Sequence, residues 1–170
     1  MITLYHGSNC DVRKPIPSRG RKGTDFGQGF YLSPDMDSAR SMASLVRARE
    51  GIGTRTINVF EFDDEAASAA GLRIRRFDAL DMDWVSFVLA NRCFDRSAPD
   101  HNIDSLYDIV VGLIADDKIR TLIRLYRNGL MTKDAVLAAL QSAPWRIEQY
   151  SFHTARSLKF LKLKEVLHEQ

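Results

Sequence analysis

The residues of this chain best suited to chemistry fall in three short stretches. His6 stands in LYHGS, followed by Gly7 and Ser8. Tyr31 stands in GQGFYLS, preceded by Gly27, Gly29 and Phe30. Glu148 and Gln149 open EQYSFHT. Glycine is unfavourable inside a strand, so glycines leading into an aromatic run mark a bend or a close approach of the backbone. An imidazole, a phenol and an amide orient a ligand by hydrogen bonds and ring stacking. Other chemistries fail on spacing. GQG lacks the third glycine and the following helix of a dinucleotide fingerprint, and GRKGT is not a phosphate-binding loop. His6, His101, His153 and His168 show no zinc-binding spacing, the two cysteines form no CxxC pair, and no GxSxG elbow occurs. Taken singly, Tyr31 also reads as a core aromatic and His6 as a polar core residue; only their ordered combination points to a site.

The elements that must hold these stretches follow from the pattern. ITLYHG alternates β-branched and aromatic residues and predicts a first strand, followed by a loop rich in Pro, Gly and basic residues. GFYLS predicts a second strand. SPDMDSARSMASLVRAREG predicts a helix capped by Ser33 and closed by Gly51. TINVFEFD predicts a strand with LRIRRFD as its partner. DALDMDWVSFVLANRCF predicts a helix burying Trp84, Phe87, Val88 and Asn91. LYDIVVGLIA predicts a buried strand. Two helices follow, one closed by Gly129 and one capped by Thr132 and ended by Pro144. WRIEQYSFHT predicts a strand, and LKFLKLKEVL a short helical turn and a strand. Strands and helices mix without regular βαβ alternation, which predicts an α+β fold in one domain over residues 1–170.

Bulk properties narrow the partners. The 170 residues are 45% hydrophobic and carry a net charge of +2, which gives no general case for nucleic acid or membrane. Arg73, Arg75 and Arg76 form a local basic patch, although alternating basics on a strand ordinarily make a solvated face. Cys10 and Cys93 are no disulfide framework and fit a reducing cytoplasm. No leader pattern and no membrane span of ~18 apolar residues is present.

Together the three stretches resemble the ADP-ribosyltransferase superfamily, specifically the His-Tyr-Glu branch that includes diphtheria toxin and the poly(ADP-ribose) polymerases. GRKGTDFGQGFYLS, WVSFVLANR and YDIVVGLIADDKI extend the likeness to a group of small bacterial relatives of that branch. The resemblance implies a split mixed or antiparallel sheet core with flanking helices, and NAD as co-substrate. It assigns His6 to a ribose hydroxyl, the Gly7 main chain to the nicotinamide amide, and Tyr31 to stacking on the nicotinamide ring, with Ser8, Gly29 and Phe30 lining the site. Arg21, with Arg19 and Lys22, would meet the pyrophosphate from a loop spanning 15–26.

The chain departs from the branch at the acid. Alignment puts Gln149 at the glutamate position, and strand alternation sends Glu148 to the other face. His6, Tyr31 and Gln149 are thus the expected catalytic set. A glutamine holds a ribose hydroxyl but cannot act as a base, so polymer elongation is not expected. Asp116, Asp117 and His153 are alternative bases, although the aspartates also read as a helix cap. The expected function is a bacterial mono-ADP-ribosyltransferase, a glycosyl transfer that releases nicotinamide, acting on a protein or nucleic-acid acceptor as the toxin of a toxin–antitoxin pair. The competing reading is a weak or inactive NAD-binding or ADP-ribose-binding module that recognises a protein partner.

Overall fold

A computed structural model describes residues 1–114, 117–142 and 147–169 of the chain, without the side chain of Asp117. Among the described residues seven strands form two sheets. Strands β1 (Ile2–Ser8), β3 (Arg55–Phe62) and β7 (Leu161–Glu169) make an antiparallel sheet in the order β1-β3-β7. Strands β2 (Phe30–Leu32), β4 (Ile74–Arg76), β5 (Ile109–Leu113) and β6 (Glu148–Phe152) make a mixed sheet in the order β2-β6-β5-β4, in which β4 and β5 run parallel. Five α-helices accompany them among the described residues: α1 (Met36–Glu50), α2 (Asp64–Ala69), α3 (Met82–Cys93), α4 (Asp117–Arg127) and α5 (Lys133–Gln141). The fold is α+β. None of the described helices is long and apolar enough to cross a membrane.

Among the described residues, one backbone bridge joins the strands of the two sheets. Tyr5 and Ser33 form an isolated antiparallel bridge, with Tyr5 N–H donating to Ser33 O at 2.8 Å and Ser33 N–H to Tyr5 O at 3.0 Å. Beyond this pair β1 stays with β3 and β2 with β6, so a seam opens beside His6, Gly7 and Tyr31. A core on one side of the mixed sheet gathers Phe26, Phe77, Trp84, Phe87, Val88 and Val110. A second core lies among Leu4, Phe30, Phe60, Phe62, Tyr150 and Phe152. The predicted helix face of Trp84, Phe87, Val88 and Asn91 is fully buried.

Several sequence expectations change. LRIRRFD does not pair with TINVFEFD: its strand β4 joins β5, because the acidic run after β3 folds into α2, capped by Asp63, and carries the chain to the other sheet. Helix α1 is capped by Asp35, whose carboxylate accepts Ser38 N–H at 2.9 Å. Ser33 is instead held at the seam, donating to Glu148 O at 2.9 Å and accepting Asp35 N–H at 3.1 Å. Gly51, Gly129 and the Thr132 cap stand where the pattern put them. Asp116, Pro144, Trp145 and Arg146 lie outside the described residues.

Candidate functional site

His6 is the first residue after the bridging Tyr5. Its ring packs on Phe30 with centroids 4.3 Å apart, and Nδ1 lies 2.7 Å from the backbone oxygen of Tyr31. A carbonyl only accepts, so Nδ1 carries the proton. Burial lowers the pKa of His6, opposed by that hydrogen bond. The neutral ring then presents Nε2 as an acceptor. Among the described residues Nε2 has no partner.

Gly7 is buried. Because Tyr5 directs both backbone groups to β2, the parity of an antiparallel ladder directs those of Gly7 the same way, off the edge of β1 and into the seam. The absent side chain has a structural cause as well. A Cβ there would sit 1.9 Å from Ala39 O and 2.7 Å from Ala43 N, so α1 packs directly on the strand. Ser8 is buried, with Oγ 3.8 Å from Cys10 Sγ.

Tyr31 faces the other way from Phe30. It pairs with Ser151, and Ser151 pairs with Val110, so these side chains and that of Gln149 share one face of the mixed sheet. The Tyr31 hydroxyl lies 2.6 Å from Gly27 O and 2.9 Å from Thr24 Oγ1, and accepts Phe26 N–H at 3.2 Å. Burial pushes its pKa well above the usual phenol range, so it remains a donor. Phe26 is fully buried and packs over Gly112, the partner of Gln149. Residues 24–27 thus cover part of the face that Tyr31 and Gln149 share.

Gln149 is 9% exposed, and its Nε2 is buried without a hydrogen-bond partner among the described residues. An unmade buried donor costs on the order of 1–3 kcal/mol; Trp84 Nε1 and Asn102 Nδ2 stand in the same position. Glu148 faces away with Tyr150, whose pKa burial and that carboxylate raise to about 12. His153 is buried beside Tyr31, ring centroids 6.3 Å apart, with Nδ1 2.9 Å from Gln28 O and Nε2 2.9 Å from Ser151 Oγ. Burial lowers its pKa to about 4. Gly29 lets the chain pass it, since a Cβ there would lie 2.7 Å from His153 Nδ1.

The structure therefore joins His6 to Tyr31 through the Tyr31 backbone, and Tyr31 to Gln149 and His153 through a shared sheet face. It does not bring the His6 and Tyr31 rings together, because Phe30 and Tyr31 alternate across β2. Arg19, Arg21 and Lys22 are exposed on the loop before β2, and Gln28 Nε2 pins that loop through Ser18 O at 2.7 Å and Gly20 O at 2.8 Å. Arg73, Arg75 and Arg76 do not form a free basic patch. Arg75 is tied to Asp83 and Asp100 and stacks on Phe77, Arg76 pairs with Asp64, and Arg73 lies near Asp108. Sequence reasoning placed Asn91 on the buried helix face but missed its partner Asn102. Asn91 Oδ1 accepts Asn102 N–H at 2.8 Å beside Gly27, and only an asparagine on an otherwise apolar helix face hints at it.

Comparison with known proteins gives one assignment. A family model described as a protein of unknown function, DUF3990, matches residues 2–163. No curated protein matches the chain. Since the match covers nearly the whole sequence, the chain belongs to the DUF3990 family.

Proposed function

We infer that the protein is an NAD-dependent mono-ADP-ribosyltransferase whose site is the seam between the two sheets, and that its fold is the split-sheet fold of that superfamily. The observation that carries this reading is the Gly7 main chain. One N–H and one C=O from the same residue, aimed off a strand edge, complement a primary carboxamide such as that of nicotinamide. His6 Nε2 stands beside them as an acceptor for a ribose hydroxyl. Tyr31 offers an aromatic face, and Gln149 a buried donor.

NAD supplies the reaction's leaving group, a nicotinamide already cationic, so no general acid is needed. The task of the chain is to hold the amide and the ribose in one orientation and to favour the positive charge left on the sugar. Gly7 would fix the amide, His6 and Gln149 the sugar hydroxyls. Glu148 contributes no carboxylate to this face.

A second reading has its own support. Gln149 carries no charge, and residues 24–27 cover part of the Tyr31 face, which favours a module that holds NAD or ADP-ribose without turning it over. Purified protein incubated with labelled NAD and cell lysate separates the two. Transfer predicts nicotinamide release and labelled acceptors; the module predicts NAD binding with neither. No binding at all rejects both.

A further inference from the structure

Basic residues outside the Arg73–Arg76 pairs gather on the face made by α3, α4 and the Gly23 loop. Two cavities there share Gly23. One, of about 650 Å³, lies between α3 and α4 and is lined by Arg92, Arg120, Arg124 and Arg127 above Leu89 and Ile123. The other, of about 290 Å³, is lined by Lys22, Arg96, Asn91, Gln28 and Ile103. Among the described residues neither lining includes a carboxylate. Asp25 holds Arg92 and Asp104 holds Arg96. Arg124 and Lys22 are exposed and have no side-chain partner among the described residues. Arg127 is exposed and donates to Cys93 Sγ at 3.3 Å. Arg120, Arg124 and Arg127 stand at spacings of four and three, on one face of α4.

Phe94 lines the smaller cavity, against Gly23 where the two cavities meet. It caps α3 in the left-handed conformation, φ 55°, and is 49% exposed. That backbone region is unfavourable for a large side chain and suits glycine or asparagine. Gly23 lies against its ring, with a hypothetical Cβ 3.7 Å away, so one edge of the ring is supported. An exposed aromatic ring with Lys22 in the same cavity, next to the cavity that holds Arg124 and Arg127, is a stacking platform at the edge of a basic groove.

We propose that this face binds single-stranded nucleic acid, with a base stacked on Phe94 and the backbone phosphates met by Lys22, Arg124 and Arg127. A duplex keeps its bases stacked on one another and offers no free ring face to Phe94. An acidic polypeptide meets the arginines but has no planar group for the ring. The groove shares one loop with the seam: Gly23 lines both cavities, and the adjoining residues 24–27 hold the Tyr31 hydroxyl. The proposal does not depend on NAD chemistry, and its test is done without NAD.

The test is fluorescence anisotropy of the full chain with a labelled single-stranded RNA twelve-mer, a duplex of the same sequence, and polyglutamate, each over a salt series. The single strand should bind most tightly. Arg124→Gln with Arg127→Gln should reduce the steepness of the log affinity against log salt line by about 1.4. Phe94→Asn removes the ring and suits the left-handed backbone, so it should weaken RNA binding by roughly fivefold or more while the melting temperature holds or rises. A merely structural Phe94 would lower stability instead. Absence of RNA binding, equal binding of polyglutamate or duplex, or an unchanged affinity in Phe94→Asn would each overturn the proposal.

Discussion

His6 Nδ1 lies 2.7 Å from the backbone oxygen of Tyr31, a contact between residues 25 positions apart that ties the first strand of one sheet to the first strand of the other. It fixes the tautomer and leaves Nε2 as the acceptor beside Gly7. His6→Asn keeps a short amide donor for the Tyr31 carbonyl but deletes Nε2. Its melting temperature should stay close to wild type, while NAD affinity by calorimetry should fall roughly 2- to 12-fold, the loss of one hydrogen bond. Unchanged affinity in a folded variant would remove His6 from the site.

Gly7→Ala should be destabilising whatever the protein binds. The added methyl would overlap Ala39 O and Ala43 N, both backbone atoms of α1, so the helix itself must shift. Overpacking of this kind costs about 1–3 kcal/mol, measurable as a lower denaturant midpoint with an unchanged slope. A variant as stable as wild type would mean that α1 does not pack on β1 as described.

Acid should weaken the fold through His153. Its folded pKa, about 4, lies below the ordinary 6.5 because burial disfavours the charged ring, against the pull of Gln28 O and Asp108. Below 6.5 the unfolded chain binds a proton that the folded chain refuses. The stability is therefore present above pH 6.5 and is lost as pH falls toward 4, by on the order of 3 kcal/mol from this residue. His6, also lowered by burial, acts with the same sign. Denaturation curves between pH 7 and 4 for wild type and His153→Gln check this: the variant should lose less stability across that interval. Parallel curves would contradict a neutral, buried His153.

Much of this arrangement could be read from residue types. Alternation in ITLYHG and TINVFEFD located β1 and β3, and the α+β class followed from the mixed element order. The faces of Glu148 and Gln149 were legible because period-two alternation is strict within a strand, and the ladder with β5 bears it out. What failed was long-range. Nothing local in LRIRRFD tells whether β3 or β5 is its partner, since that depends on how α2 turns the chain. The Tyr31 hydroxyl and Phe26 were equally hidden, because the fold of the loop onto β2 rests on contacts to Gly27 O and Gly112 that have no sequence pattern.

On the proposed reading, Gln149 is the residue on which NAD turnover depends. Gln149→Ala should abolish most nicotinamide release with the fold intact, since it deletes a buried donor already lacking a partner. Gln149→Glu should preserve or raise release by placing negative charge near the sugar, at a stability cost from its burial. Glu148→Gln should leave release unchanged, because its side chain lies on the Tyr150 face. Loss of release in Glu148→Gln alongside a silent Gln149→Ala would reverse the assignment of the two faces.

The seam itself is tested most directly at the Gly7 amide. In ¹⁵N-labelled protein, titration with NAD should move the Gly7 N–H resonance downfield and saturably, and free nicotinamide should move it in the same direction. Gly71 and Gly129, in open turns with nothing within 4 Å of a hypothetical Cβ, should not respond. A Gly7 amide that stays still while NAD saturates the protein would place the ligand elsewhere, and no response anywhere in the spectrum would contradict an NAD site in this fold.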